Sequence, residues 1–439
     1  MNRKNIIIIY CDDLGYGDLS CYGSDTVRTP HLDDLAAGGV RFTNLYSNSP
    51  VCSPSRASLL TGLYPAKAGV TGILGGKRGT HGLPAAKTTI AAALKAHGYS
   101  TALVGKWHLG TAADNSPNAH GFDEFFGFKA GCIDYYSHIF YWEQAGGVNP
   151  VHDLWHNGEE VWENGRYMTE MITEKAVHFI ERETAGQRPF FLYVPYNAPH
   201  YPMHAPAKYM ERFAHLPWDR QVMAAMISAV DDGVGELVAA LKRQGVYENT
   251  AIFFSSDNGP SVEARNWLDG TEDLYYGGSA GIFKGHKGSL FEGGVREPAI
   301  LSCPGVIPTN QVNDGTAMMM DMFPTLLELA GLPAPEGIDG RSLHAAVTGT
   351  SEAASSPHEE VYWEYNGQLA VRKGDWKLVL NGRLDFGRPV PDAVHLSNVQ
   401  DDPGERVNVK DQHPDMAEQL TALAKAWYEQ VAGIEYTSS

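Results

Sequence analysis

Four short apolar runs, each followed at once by polar and ionisable residues, constrain this chain more than any other feature. Asn5–Tyr10 (NIIIIY), Thr101–Val104 (TALV), Phe190–Val194 (FFLYV) and Ala251–Phe254 (AIFF) are all of strand length. They do not alternate with polar residues as a strand with one wet face does, so each suits a central parallel strand buried on both sides. Helical spacing lies between them. Thr88–His97 carries Ile90 and Leu94 on one face, with Gly98 as its stop. Arg220–Arg243 places Met223, Met226, Ile227, Val230, Val234, Leu237, Val238 and Leu241 at helical intervals, a stripe that packs into a core. Strands alternating with helices predict an α/β fold, a large and mostly parallel central sheet flanked by helices.

The residues just past each run carry the functional signal. Cys11-Asp12-Asp13 follows the first, Gly105-Lys106-Trp107-His108 the second, Pro195 through His200 the third, and Ser255-Ser256-Asp257-Asn258-Gly259 the fourth. Open α/β sheets bind ligands beyond the carboxyl ends of their strands. Taken singly, each group has an ordinary reading: an acidic turn, a surface histidine, a solvated lysine. Four strand ends delivering Asp, Asp, Lys, His, His, Asp and Asn to one edge are not explained that way.

Asp12, Asp13, Asp257 and Asn258 are oxygen donors, which suits a hard cation, Ca²⁺ or Mg²⁺, more than zinc. Lys106, His108, His200 and Arg56 add cationic or proton-transferring groups, and the glycine-rich Lys284–Gly294 stretch adds Lys287. Cations and a metal beside a helix N-terminus make a site for a tetrahedral oxyanion. The helix start is read from Ser49–Gly62, SPVCSPSRASLLTG. Ser53 is expected to cap it, Pro54 to take the first helical position and Arg56 to lie in the first turn. A cation there opposes the helix dipole unless an anion binds beside it. Cys52 is then placed as the nucleophile.

Bulk composition excludes several classes. A net charge of −18 without any Lys/Arg block argues against a nucleic-acid partner. Five scattered cysteines, an odd number without a C-x-x-C pair, argue against a disulfide framework or structural zinc. The N-terminal apolar run is too short for a signal core or a membrane span, so no membrane partner and a cytoplasmic location are expected.

Cys52-Ser-Pro-Ser-Arg56, extended through Ala57–Gly62, resembles the signature of the formylglycine-dependent (type I) sulfatases, in the arylsulfatase-like branch of the alkaline phosphatase superfamily. The similarity runs in matching order through Asp12–Asp18, Gly105–Gly110, Gly121–Gly127, Asn197–His200, Ser256–Gly259, Gly288–Pro298 and Ile338–Arg341, covering most of Asn5–Leu343. It implies an alkaline-phosphatase-like fold and hydrolysis of sulfate monoesters, with release of inorganic sulfate. It implies that Cys52 is oxidised to formylglycine by a formylglycine-generating enzyme, a transient partner. One Ca²⁺, with Mg²⁺ the second choice, would be bound by Asp12, Asp13, Asp257 and Asn258, with modified Cys52 approaching it. Arg56 would orient the aldehyde hydrate, while Lys106 and Lys287 would contact sulfate oxygens. His108 would assist the hydrate hydroxyl that does not attack, and His200 would protonate the leaving alkoxide. A hydrate carries two hydroxyls on one carbon, so one attacks sulfur and deprotonation of the other expels sulfate, which a plain serine or thiol cannot do. The sequence departs from the family pattern at Gly285-His286-Lys287, where many relatives read Gly-Gly-Lys. Lys287 rather than Lys284 is assigned because it directly precedes Gly288-Ser289.

The division expected is a catalytic domain over residues 1–348 and a C-terminal α+β subdomain over 349–439, beginning with a Ser/Ala/Thr-rich linker at Gly349–Pro357. Val361–Tyr365, Leu369–Arg372 and Trp376–Leu380 read as a small antiparallel sheet, and Met416–Tyr428 as a terminal amphipathic helix that walls the cleft. Gly131–His138, Trp142 and Trp155 lie in a long aromatic-rich insertion that suits sugar or aryl rings and ordinary loop packing alike. The substrate expected is a small sulfated carbohydrate or aryl sulfate. The competing readings are a phosphate or phosphonate ester hydrolase of the same superfamily and, from another class, a non-catalytic binder of sulfated glycans.

Overall fold

The computed structural model describes residues 3–140, 150–262, 277–349, 356–434 and 436. Trp142 lies outside them, as does most of the expected linker.

All four apolar runs are strands, and all four are parallel and central. Asn5–Cys11 lies between Thr250–Ser256 and Phe190–Pro195, and Ser100–Lys106 continues the sheet beyond the latter. Among the described residues the sheet has ten strands. Glu124–Phe128 extends the parallel set, while Ala299–Ser302 and the short Trp155–His156 strand attach antiparallel at either side. Those flanking strands were not read from the sequence, because their apolar runs are short and break off at glycine or proline.

Burial on both faces follows the two-residue period of a strand. Ile7 and Ile9 enter a core closed by the Met168–Ala185 and Trp218–Arg243 helices. Ile6, Ile8 and Tyr10 enter the opposite core, closed by Cys52–Thr61, Ile90–Ala96 and Met322–Leu329. Each isoleucine is fully buried, worth about 1.5–3 kcal/mol apiece relative to exposure.

Glu360–Tyr365, Gln368–Lys373, Trp376–Leu380 and Val394–Asn398 form a separate four-stranded antiparallel sheet, against which the Pro414–Ala432 helix packs. A fully buried ionic cluster joins this sheet to the larger body. Lys377 Nζ lies 2.8 Å from Glu292 Oε1 and 3.7 Å from Glu405 Oε1, and the Glu292 N–H donates to Glu405 Oε2 at 2.6 Å. Tyr46 hydroxyl and Arg296 complete the shell of Glu292, at 2.6 and 3.0 Å from its Oε2. Among the described residues no helix is long and apolar enough to cross a membrane.

Candidate active site

Strand register brings the ionisable residues to one place. Cys11 pairs with Ser256 and Tyr10 with Pro195, so Asp12, Asp257 and Asn197 follow side by side. Beyond the last pair the backbones stay tied: the Asp12 N–H donates to Ala198 O and the Asp257 N–H to Cys11 O, both at 3.2 Å. Asp13 and His108 both adopt left-handed backbone, with φ of 65° and 55°. That conformation costs roughly 1–2 kcal/mol per residue and persists where surrounding contacts fix it.

The Cys52 helix differs in detail from its sequence reading. It begins at Cys52 itself, with extended Val51 before it. Pro54 still falls in the first turn, where a missing N–H leaves no hydrogen bond unmade. Ser53 does not cap the helix; its hydroxyl accepts the Leu74 N–H at 3.1 Å. Arg56 therefore lies one turn past Cys52, on the same face. Its Nε and Nη2 donate to Asp257 Oδ2 at 2.9 and 2.6 Å, and Nη2 is 3.5 Å from Asp12 Oδ1. These carboxylates account for a cation near a helix start.

The other cations are held likewise. Lys106 Nζ is 2.6 Å from Asp12 Oδ2, and Lys287 Nζ is 2.7 and 2.9 Å from the two Asp13 oxygens. Lys284 goes elsewhere: it lies over the Phe291 ring at 4.2 Å and donates to Glu405 O at 3.2 Å. His200 Nε2 approaches Asp13 Oδ2 at 3.6 Å and keeps some exposure, while His108 is buried with Nε2 2.9 Å from Leu74 O. The charges acting on the His286 ring are Arg388 and Asp385, and its backbone N–H donates to Leu384 O.

Burial alone would raise both aspartates, but Lys106, His200 and Arg56 hold the Asp12 carboxyl below its ordinary value, and Lys287 and His200 do the same for Asp13. Burial and the Asp12 charge push Asp257 up against the pull of Arg56. Burial and then Lys106 drive His108 well down, which keeps its imidazole neutral. Burial also raises the Cys52 thiol, against Lys106 and Lys287.

The donor set fits a hard divalent cation. Ligand atoms of Asp12, Cys52 and Asp257 lie within 4.8 Å of one another, as do those of Asp12, Asp13 and His200. Asp12 Oδ1 and Asn258 Oδ1 are buried and accept no hydrogen bond, a costly state for lone pairs unless a cation or water meets them. Crowded carboxylates with unused oxygens are what such an ion requires.

Two residues of the Gly131–His138 stretch, expected to serve either sugar or aryl binding or loop packing, instead support the two histidines. Tyr135 donates its hydroxyl to Asn197 O and His200 O at 2.8 and 2.9 Å, holding the loop that carries His200. A Cβ at Gly131 would come within 2.7 Å of the His108 ring, so only glycine lets this segment pass. Cys132, next along, is buried between these two anchors.

Residues 4–332 match the family model described as Sulfatase. The chain belongs to the sulfatase family. Residues 278–431 of this sulfatase also match the model for the C-terminal region of N-sulphoglucosamine sulphohydrolase, which starts inside the Lys287 loop. Human arylsulfatase A is 34% identical, the alignment covering 92% of this chain and 83% of that protein. N-acetylgalactosamine-6-sulfatase of Canis lupus familiaris is 35% identical over 85% of this chain and 71% of that protein. Among solved structures, Ps i-CgsB in complex with k-i-k-neocarrahexaose superposes with a TM-score of 0.84 at 33% identity, covering 97% of this chain and 92% of that one. The activity of this sulfatase is sulfuric ester hydrolysis, and its fold is that of the alkaline-phosphatase-like sulfatases.

Proposed function

We propose that this sulfatase removes sulfate from sulfated saccharides through a formylglycine made from Cys52, with Ca²⁺ held by Asp12, Asp13, Asp257 and Asn258. The observation that supports it best is the convergence of Cys52 with Asp12 and Asp257 inside a ring of three buried cations, Arg56, Lys106 and Lys287. A buried cysteine with a raised pKa stays a thiol near neutrality and is a poor nucleophile, so the unmodified residue does not account for catalysis. As formylglycine hydrate, residue 52 supplies one hydroxyl to attack sulfur and a second whose deprotonation releases sulfate. The cation, when bound, supplies positive charge against the sulfate oxygens. Four protein oxygens suit Ca²⁺ more than Mg²⁺, which retains several waters.

The remaining roles belong to groups seen here. Lys106 and Lys287 bind the three sulfate oxygens that do not bridge to the sugar, and their charge remains fixed as the transferred group gains charge. Arg56 orients residue 52 from the same helix face. Neutral His108 accepts a proton at an imidazole nitrogen, and partly exposed His200 donates one to the departing alkoxide. A saccharide substrate is supported by the sugars in the names of N-acetylgalactosamine-6-sulfatase and of the neocarrahexaose complex.

Mass spectrometry of the residue-52 peptide tests this reading on protein co-expressed with a formylglycine-generating enzyme. Aldehyde content should rise in proportion to turnover of an aryl sulfate, and Cys52→Ala should be inactive. Full activity with only thiol at residue 52 would sink the proposal.

A further inference from the structure

A cavity of about 710 Å³ opens beside the catalytic cluster, between the catalytic body and the C-terminal helix. Its volume is that of a small-molecule site, which typically runs about 300–1,000 Å³. Thr71, Gly72 and Ile73 line one side. The next residue, Leu74, accepts from His108 Nε2 at 2.9 Å and donates to Ser53, adjoining Cys52. Tyr365 lines the other side, and its phenol lies close enough to Cys52 and Lys287 to be influenced by both. The cavity therefore adjoins the sulfate site.

Its lining has a consistent chemistry. Trp427 is a fixed aromatic platform, stacked on Tyr362 at 5.1 Å and 3° between planes, with Tyr64 edge-on at 5.1 Å. Asn48, only 1% exposed, also lines the cavity, and its amide nitrogen has no hydrogen-bond partner. The Glu364 carboxyl makes no hydrogen bond or ion pair among the described residues, and burial raises it. Among the described residues no lysine or arginine lines the space.

Taking the sulfatase reading as given, we infer that this cavity binds an uncharged sugar ring, the unsulfated neighbour of the sugar that carries the scissile sulfate. An aromatic platform takes the apolar face of a pyranose. The free Asn48 amide and the Glu364 carboxylate take its hydroxyls, which restores hydrogen bonds the two side chains otherwise lack. A sulfated or uronic neighbour would bring a second negative charge against Glu364, with no cation among the lining residues to pair with it; Lys287 and Arg383 act on Tyr365 only from outside the lining. Selection in this cavity thus works by rejecting charge, as well as by contact.

The test compares substrates that reach the cavity with one that does not. Ala432→Trp, on an exposed position of the lining helix, fills the space without removing a packed side chain. In matured enzyme this change should raise KM for sulfated disaccharides with a neutral neighbour about tenfold, corresponding to 1.4 kcal/mol. It should leave kcat/KM on 4-nitrophenyl sulfate unchanged. Glu364→Gln should lower the preference for neutral over uronate neighbours about fivefold, roughly 1 kcal/mol. Calorimetric titration of lactose, N-acetyllactosamine and cellobiose gives a readout independent of catalysis, and Ala432→Trp should abolish whatever binding wild type shows. Unchanged disaccharide KM in Ala432→Trp, or a wild-type preference for the uronate neighbour, overturns the inference. Loss of aryl sulfate turnover in matured wild type would instead overturn the sulfatase reading, leaving the calorimetry to judge the cavity.

Discussion

The two sides of this site are built by opposite rules. On the strand-end side, Asp12, Asp13, Lys106 and Asp257 stand on adjacent parallel strands or directly past them, and all are buried and paired with opposite charge. On the C-terminal side, Tyr365, Glu364 and Trp427 border an open cavity whose polar groups are in part unpartnered. The first side is over-determined: every charge is fixed by another and by strand register, so it presents one geometry for one small anion. The second is built from segments far apart in the chain. Sulfate chemistry sits on the sheet edge, and the inferred discrimination between neighbouring sugars falls to the cavity wall.

Removing charge from the rigid side should have the largest effect, and Asp257→Asn is the sharpest probe. It leaves Arg56 buried with only the 3.5 Å approach of Asp12 in compensation. Breaking one partner of a buried pair costs about 3–5 kcal/mol. Activity should be lost, and thermal melting, which should rise on adding Ca²⁺ to wild type, should not rise in the variant. A variant that keeps the Ca²⁺-dependent rise would separate the metal site from the Arg56 pair.

The two lysines of one loop draw the boundary between the sides. Lys287 pairs with Asp13, whereas Lys284, three residues earlier, meets Phe291 and Glu405. Lys287→Ala should lower kcat by roughly 10²–10³, the cost of losing a charge aimed at a developing oxyanion. Lys284→Met, which keeps the stem over Phe291, should change kcat by less than about threefold and act mainly on stability. Steady-state kinetics of both variants checks the pair, and reversed effects would move the boundary.

The rigid side was legible because it is written locally. A continuous apolar run such as NIIIIY announces a buried parallel strand, and the residue after it must then sit at the sheet edge, so Asp12 and Asp257 could be brought together before any coordinates. The Cys52 helix shows where local rules misplace a boundary: Ser53-Pro54 satisfies the usual start signal, yet Ser53 is occupied by Leu74, a tertiary contact. The Lys377–Glu292–Glu405 cluster was invisible for the same reason. Its members are far apart in the chain, and each alone reads as a surface charge. Trp427 and Asn48 likewise become neighbours of one cavity only after the C-terminal helix has docked.

That cluster gives the smallest effect and the finest test of how the sides are joined. Burial raises the Glu405 carboxyl to about 7, against the pull of Lys377 and with the push of Glu292. An acid whose folded value lies above its unfolded one, near 4.3, binds more protons folded than unfolded between those pH values. Stability must therefore fall as pH rises from about 4.5 to 7, by an amount on the order of 3 kcal/mol for this group. Glu405→Gln keeps a hydrogen-bond acceptor for the Glu292 N–H but cannot titrate. Its unfolding free energy should lack that part of the decline, so wild type and variant should converge in acid, where Glu405 is protonated, and wild type should fall below the variant toward neutral pH. Denaturant titrations at pH 5, 6 and 7 measure the difference directly. Parallel curves would mean that Lys377 keeps Glu405 ionised throughout, and that the joint between the two sides is a permanent ion cluster.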